Sequence, residues 1–270
     1  MKAAYHLINF GVWPDRSESD KLAAVRSVGY TGAESLEIDY FADPALLAER
    51  LAAHDLQLAA MTLPGRLLGQ EDEELIALAH AEVKTGQAVG CDVSVVMVPR
   101  TNGRDIHTFG TTVDHYEEAA RRLNLVGRIL AEGGIRLCIH NHIDHMTESA
   151  EEMALLMENT DADAVSICFD TAHAVCGGND PVEYARTFRD RIGYLHLKDA
   201  RNTLHGRPYF FKNVFLPLGE GIIDFPSIFA ILREIKYDNW YTVEMDSTFS
   251  NGDPVQEAAT SLAYLRAHVG

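Results

Sequence analysis

The chain repeats one pattern about eight times: a short apolar run, a loop, and a longer segment with helical periodicity. Short apolar runs bounded by turn residues predict buried strands, and apolar residues every three or four positions predict amphipathic helices. Few folds accommodate this alternation, because every strand must pair and every helix must cover a sheet. The predicted strands lie at 3–8, 32–36, 57–61, 93–98, 135–139, 164–169, 192–197 and 240–245.

Helix start signals divide the segments between these strands. Asp43 followed by Pro44 is a typical beginning, because proline is tolerated at the first helical position. The predicted helices lie at 19–28, 43–54, 71–89, 113–132, 147–159, 180–188, 224–235 and 253–269. Eight strand–helix units predict the α/β class and a single (β/α)8 TIM barrel over residues 1–270. A doubly wound sheet is the main rival, but the phosphate-binding loop that it needs after the first strand is absent.

Charge and composition limit the kinds of partner and the cell compartment that we expect for this protein. The net charge of −17 opposes binding to phosphate backbones and anionic membranes, so we expect neither a nucleic-acid nor a membrane partner. The sequence contains no apolar run of about 18 residues, so we expect no membrane span. The four cysteines are scattered without metal-knuckle spacing, which predicts reduced thiols in a cytoplasmic protein.

Polar side chains end the last four predicted strands: His140, Asp170, His196 and Glu244. Reacting groups of TIM barrels lie at the carboxyl ends of strands, where neighbouring strands converge. Two imidazoles and two carboxylates suit Mn²⁺, Co²⁺, Fe²⁺ or Zn²⁺ better than Mg²⁺ or Ca²⁺. A single histidine near a strand end more often belongs to the core or the surface. Four such residues on successive strands predict a metal site, because a charged carboxylate within an apolar run needs a partner.

Other strand ends leave two interpretations open. His6 closes the first strand and would either contact substrate or lie in the core, while Glu34 in the second strand would orient a hydroxyl or lie at a solvated edge. The long loop after the seventh strand carries the aromatic run Tyr209–Phe211. Long loops in compact domains are often lids or contact surfaces, so we expect either a lid or a subunit contact in a homo-oligomer.

Five motifs together resemble the xylose isomerase-like TIM barrel superfamily of sugar isomerases, epimerases and lyases. They are HNH at 140–142, FDTAH at 169–173, LHLKDAR at 195–201, PLGEGIIDFPSI at 217–228 and YTVEMD at 241–246. The resemblance implies one divalent metal on His140, Asp170, His196 and Glu244. It also implies substrate contacts by His142, His173 and Arg201. The HNH, LHLKDAR and GEGIIDF segments are most similar to the inosose dehydratases, which act on 2-keto-myo-inositol.

One position separates possible reactions within this superfamily. Ketose 3-epimerases usually carry glutamate where this chain has His140, and a metal-bound imidazole does not take a proton as a carboxylate does. Loss of water needs only one base and one acid. We therefore expect a metal-dependent lyase, with Mn²⁺ favoured, that acts on a keto-polyol or keto-sugar (a sugar or cyclitol) through a metal-stabilised enolate.

The expected roles follow from this chemistry. Glu244 would be the base, and His142 or His173 would donate a proton to the departing hydroxyl. Lys198 would stabilise the enolate oxygen, and Arg201, Glu34 and His6 would contact the substrate. Asp199 and Asp246 would hold the ligand imidazoles or bases in place.

Three alternatives remain open at this point. The first is a sugar or sugar phosphate isomerase or epimerase, and the second is a non-catalytic sugar-binding barrel or a subunit of a larger complex. The third, a nuclease like endonuclease IV, shares this fold but is disfavoured, because the negative charge opposes DNA binding and such a nuclease needs extra histidines after the third and fourth strands. Those strands end here in Met61-Thr62 and Pro99-Arg100.

Overall fold

The computed structural model describes residues 1–11, 15–35, 43–64, 67–99, 112–201, 214–245 and 253–269. Within these ranges the strands are β1 (Lys2–His6), β2 (Gly32–Glu34), β3 (Gln57–Leu58), β4 (Met61–Thr62), β5 (Val93–Val96), β6 (Arg136–His140), β7 (Val165–Asp170), β8 (Ile192–Leu197), β9 (Asp199–Ala200), β10 (Phe215–Leu216) and β11 (Trp240–Val243). The helices are α1 (Glu18–Val28), α2 (Pro44–Ala53), α3 (Asp72–Val89), α4 (Val113–Glu132), α5 (Ala150–Glu158), α6 (Thr171–Cys176), α7 (Pro181–Thr187), α8 (Phe225–Glu234) and α9 (Pro254–His268).

Nine strands form one parallel sheet in the order β3-β2-β1-β11-β8-β7-β6-β5-β4. The two end strands, β3 and β4, belong to the same stretch 57–62, in which β3 pairs with β2 and β4 pairs with β5. The sheet therefore returns on itself as a barrel with the helices between its strands, and the predicted TIM barrel is confirmed. Residues 57–62 act as a single barrel strand that changes partner at Ala59 and Ala60.

Local sequence explains where several helices begin. Asp43, Asp180, Asp224 and Asp253 each accept a hydrogen bond from a backbone N–H of the first turn and precede a proline in that turn. Ser17 and Ser149 begin α1 and α5 through reciprocal capping boxes. Such caps satisfy backbone donors that a helix end otherwise leaves unpaired.

The structure differs from the sequence prediction in two elements. Residues 171–176 form α6, although we expected a loop there, and the segment after β8 contains the antiparallel pair β9 and β10. Tyr209–Phe211 and Asp246 lie outside the described residues. A search of the described residues identified no helix with the length and apolar character of a membrane span.

Side chains inside the barrel form a small apolar cluster of their own. Its members are Ala4, Ala59, Ala60, Val93, Val95, Cys138, Cys168, Tyr194 and Trp240. Alternate residues of a strand point to the same face, so the next inward position on β6, β7 and β8 is two residues later. Those positions are His140, Asp170 and His196. The barrel interior is thus apolar below and polar at the carboxyl end of its strands.

Candidate metal centre

Four side chains converge at the carboxyl end of the barrel. His140 ends β6, Asp170 ends β7, His196 lies near the end of β8, and Glu244 directly follows β11. One nitrogen or oxygen atom from each lies within 4.8 Å of the corresponding atom of every other, and all four residues are buried. We call these four residues the cation site.

The shortest contacts show how tightly the cation site is drawn together. His140 Nε2 lies 3.2 Å from Asp170 Oδ2 and 3.3 Å from His196 Nδ1. His196 Nδ1 is also 2.9 Å from Glu244 Oε2. The four strands β6, β7, β8 and β11 are neighbours in the sheet, and this adjacency brings together residues that are far apart in sequence.

Asp170 has two separate tasks because a strand ends and a helix begins at this residue. Its Oδ1 accepts the backbone N–H of His173 at 2.7 Å and caps α6, while Oδ2 faces His140. Asn141 fixes the backbone of Asp170 by donating to its carbonyl at 2.9 Å and accepting its N–H at 2.8 Å. The carboxylate is therefore oriented from both sides.

Lys198 is fully buried beside the cation site. Its Nζ lies 3.0 Å from Asp170 Oδ2 and 3.1 Å from Glu244 Oε2, and it lies 5.0 Å from the centre of the Phe215 ring. Burial alone would raise the pKa of Glu244, but the charges of Lys198 and His196 outweigh burial and hold that pKa well below its usual value. Glu244 is thus an ionised carboxylate at neutral pH.

The second nitrogen of His196 faces Glu34. His196 Nε2 is 3.0 Å from Glu34 Oε1 and 3.2 Å from Oε2. Tyr194 donates its hydroxyl to Glu34 Oε2 at 2.7 Å, and Thr242 Oγ1 lies 2.6 Å from that hydroxyl. His6 lies farther away, with Nε2 4.0 Å from Glu34 Oε1.

Burial and the neighbouring charges shift the pKa values of His196, Glu34 and His6. Burial lowers the pKa of His196, but the nearby Cys168, Glu34 and Glu244 groups outweigh it and raise that pKa well above its usual value. Burial raises the pKa of Glu34, but His196 outweighs it and the pKa is lowered. Burial lowers the pKa of His6, although Glu244 and Glu34 oppose this change.

His142 and His173 form a second group next to the cation site. Their ring centres are 3.8 Å apart, and they lie 5.5 and 5.7 Å from the ring centre of His140. His142 donates its Nδ1–H to the carbonyl of Ile143 at 2.6 Å, which leaves Nε2 as the acceptor nitrogen of the neutral ring. Burial holds the pKa values of His142 and His173 well below the usual value, so both rings are neutral at pH 7.

The structure also shows the surroundings of Asp199 and Arg201. Asp199 does not contact a ligand imidazole; its oxygens accept the backbone N–H groups of Ala200, Gly219, Gly221 and Ile223 at 2.8–3.1 Å. Arg201 is exposed and follows β9, where its backbone N–H donates to the carbonyl of Val214. The predicted role of Asp199 is wrong, because one donor from β9 and three from the loop after β10 surround its carboxylate.

The sequence analysis missed Asn141, Tyr194 and Thr242. Asn141 stands between the two histidines of HNH, and its pairing with Asp170 depends on a neighbouring strand that no local pattern identifies. Tyr194 could have been found, because it lies two residues before His196 and so shares its inward face. Cys168 has the same relation to Asp170, and its sulfur lies within 4.8 Å of one nitrogen each of His140 and His196.

The donor set fits a divalent cation. His196 Nδ1 lies 3.3 Å from His140 Nε2 and 2.9 Å from Glu244 Oε2, so two imidazoles and a carboxylate meet within reach of one ion. Asp170, Glu244 and Glu34 are three buried carboxylates, and Lys198 is buried beside them. Buried carboxylates require compensating positive charge, and mixed imidazole–carboxylate sets suit Mn²⁺, Co²⁺, Fe²⁺ and Zn²⁺.

Known proteins share both the sequence pattern and the fold. The family model described as xylose isomerase-like TIM barrel matches residues 22–268. The inosose dehydratase of Geobacillus kaustophilus is 28% identical over 274 residues, covering 94% of this chain and 88% of that protein. The inosose dehydratase of Clostridium botulinum strain Eklund 17B is 29% identical over 267 residues, covering 90% of this chain and 88% of that protein.

Solved structures superpose on nearly the whole chain. A sugar phosphate isomerase/epimerase from Parabacteroides distasonis has a TM-score of 0.77 at 19% identity, covering 99% of this chain and 94% of that one. The probable 3-DHS dehydratase involved in petrobactin synthesis from Bacillus anthracis has a TM-score of 0.76 at 16% identity, covering 98% and 99%. At such identities these two structures establish a common fold.

Proposed function

The chain belongs to the xylose isomerase-like TIM barrel family, and from this we propose that it is a divalent-metal-dependent dehydratase of a keto-polyol or keto-sugar. The observation that carries the proposal is the cation site, in which two imidazoles and two carboxylates from neighbouring strands lie within 4.8 Å of one another. Relatives named inosose dehydratase, which match most of the chain, favour a cyclitol ketone such as 2-keto-myo-inositol as substrate.

His140, Asp170, His196 and Glu244 would hold the cation, with Mn²⁺ as the favoured ion. A bound divalent cation supplies Lewis-acid chemistry, which polarises a carbonyl and acidifies the neighbouring C–H bond. Glu244 is the base in this proposal, because its lowered pKa keeps it ionised at neutral pH. It takes the proton from the carbon next to the carbonyl.

The hydroxyl on the following carbon must leave with a proton as water. His142 and His173 are neutral at pH 7, so they are suited to orienting substrate hydroxyls through their ring nitrogens. The Lys198 ammonium group lies 3.1 Å from Glu244. In this proposal Lys198 donates the proton with which the departing hydroxyl forms water. Arg201, which is exposed directly after β9, remains a candidate substrate contact.

His140 distinguishes dehydration from epimerisation. Epimerisation at one carbon requires a base on each face of the substrate, whereas elimination requires one base and one acid. His140 lies 3.2 Å from Asp170 and 3.3 Å from His196, where its Nε2 is directed at the cation site rather than at a free substrate face. This position supports elimination as the reaction.

Turnover of 2-keto-myo-inositol by the purified protein tests the proposal. Dehydration yields a conjugated enol or dione that absorbs ultraviolet light, whereas isomerisation or epimerisation does not. We expect absorbance to grow with Mn²⁺, to stop with a chelator, and to return when Mn²⁺ is restored. His140→Ala and Asp170→Ala should remove both metal and activity, while Glu73→Gln on the exposed surface of α3 should change neither.

Other outcomes would replace this proposal. Conversion of a keto-sugar to an isomer without ultraviolet absorbance would make the protein an isomerase or epimerase. Metal binding and sugar binding without turnover of any keto-polyol would indicate a non-catalytic barrel. Failure to bind a divalent metal would remove the basis of the mechanism itself.

We also propose a homo-oligomer that acts in the cytoplasm. The large apolar side chains Ile8 and Met97 are exposed just after β1 and β5, and the four cysteines are free thiols. Light scattering on the purified chain tests the first part, because a monomeric mass at micromolar concentration would exclude a stable oligomer.

A further inference from the structure

Glu34 faces His196 at the ring nitrogen opposite the one that faces His140 and Glu244. It ends β2, its exposed fraction is 1%, and both carboxylate oxygens lie close to Nε2 of His196, at 3.0 and 3.2 Å. An ionised carboxylate only accepts hydrogen bonds. The proton of a neutral His196 ring is therefore on Nε2, and Nδ1 carries the lone pair.

The direction of that lone pair is what connects Glu34 to the cation site. His196 Nδ1 lies 3.3 Å from His140 Nε2 and 2.9 Å from Glu244 Oε2. Two partners at opposite nitrogens fix the rotation of the imidazole about its side-chain bonds. Without Glu34, either nitrogen could carry the proton.

Glu34 is itself held in place from the other side of the barrel. Tyr194 donates its hydroxyl proton to Glu34 Oε2 at 2.7 Å. The hydroxyl of Thr242 lies 2.6 Å from the Tyr194 hydroxyl oxygen and is therefore the donor to it. This series of hydrogen bonds joins β11, β8 and β2. A network in which every member has a partner is rigid, because the low dielectric of the interior penalises any broken bond.

We propose that Glu34 is a positioning residue of the cation site, which selects the Nδ1 lone pair of His196 and directs it at the bound ion. The inference rests on the proposed function insofar as the cation site takes a divalent metal. A carboxylate behind a ligand imidazole also makes the imidazole a stronger donor to the metal. The role differs from the substrate contact predicted from the sequence, because His196 and Tyr194 already occupy both oxygens of Glu34.

The affinity for Mn²⁺ is the measurement that tests the proposal. Titration calorimetry on the full chain would compare the wild type with Glu34→Ala, Glu34→Gln and Tyr194→Phe. Loss of such a partner typically weakens metal binding about 10- to 100-fold, which we expect for Glu34→Ala. Glu34→Gln should have a smaller effect, because its amide oxygen still accepts the Nε2 proton but lacks the charge.

Two further variants make the comparison specific. Tyr194→Phe, which removes one hydroxyl and keeps the ring, should weaken Mn²⁺ binding less than Glu34→Gln does. Glu82→Gln alters another buried glutamate, one that lies between α3 and β5, and should leave Mn²⁺ affinity unchanged. Circular dichroism would establish that each variant is folded, and the isosteric Gln and Phe variants still test the proposal if Glu34→Ala does not fold.

The outcomes separate this inference from the proposed function. If the wild type and both Glu34 variants bind Mn²⁺ with equal affinity while KM for the substrate rises, Glu34 is a substrate contact and the positioning role is wrong. If the wild type binds no divalent metal, both the proposed function and this inference are overturned. Weaker Mn²⁺ binding in the order wild type, Tyr194→Phe, Glu34→Gln, Glu34→Ala supports the positioning role.

Discussion

Replacing Glu82 by glutamine is expected to flatten the dependence of protein stability on pH. Glu82 lies in the middle of α3 and is fully buried, and among the described residues neither carboxylate oxygen has a hydrogen bond of ordinary length and angle. Burial raises its pKa from 4.5 to about 8, and the Ser94 hydroxyl on β5 offsets only part of that effect. The folded protein therefore keeps this side chain protonated at neutral pH.

The magnitude follows from the two pKa values. Between 4.5 and about 8 the unfolded chain has lost this proton while the folded chain still holds it. The favourable contribution of the protonated form is thus complete below pH 4.5 and is lost as pH rises toward 8. Each pH unit in this window lowers the free energy of unfolding by about 1.4 kcal/mol, and the whole window amounts to about 5 kcal/mol.

Urea denaturation followed by circular dichroism at pH 5.5, 6.5, 7.5 and 8.5 would measure this slope. Glu82→Gln keeps the shape of the side chain and cannot ionise, so its free energy of unfolding should fall less steeply, by about 1.4 kcal/mol per pH unit. Glu73→Gln, on the exposed surface of the same helix, should follow the wild type. Parallel wild-type and Glu82→Gln curves across this range would refute the reasoning.

Three further outcomes are expected. Asp199→Asn should lower the free energy of unfolding by about 2–4 kcal/mol in urea denaturation, because four backbone N–H groups would have one amide oxygen in place of two carboxylate oxygens; a loss below about 1 kcal/mol would contradict this. Gly32→Ala should destabilise by about 1–3 kcal/mol in the same assay, because its Cβ would lie 2.7 Å from Trp240 Cζ3 inside the barrel; an unchanged midpoint would show that Trp240 moves freely. Adding Mn²⁺ at 100 times its Kd to chelator-treated protein should stabilise it by about 2.7 kcal/mol, seen as a higher melting temperature that His140→Ala does not show.

Much of the barrel could be predicted because its signals are local. The predicted strand at 192–197 coincides with β8, and predicted helices such as 43–54 begin at aspartate–proline pairs that cap the observed ones. The ends of the last four strands indicated the cation site, because strand adjacency in a barrel follows directly from strand order. The pattern therefore placed residues that are far apart in sequence at one end of the fold.

Other features depend on contacts that no local pattern contains. Helix α6 has six residues, too few to show periodicity, and so the environment of His173 was missed. Glu34 and His196 contact each other across the barrel. Only the closed barrel therefore shows that Glu34 faces His196, and the sequence could not distinguish this from a substrate contact. Glu82 did leave a signal, because it lies in register with the buried residues Leu75, Ala79 and Thr85 on one face of α3.

The two halves of the barrel contribute unequally to the cation site. All four of its residues come from β6 onward, in the C-terminal half of the chain, whereas Glu34 comes from β2 in the N-terminal half. A C-terminal fragment would thus contain all four proposed ligands but not the carboxylate that faces Nε2 of His196.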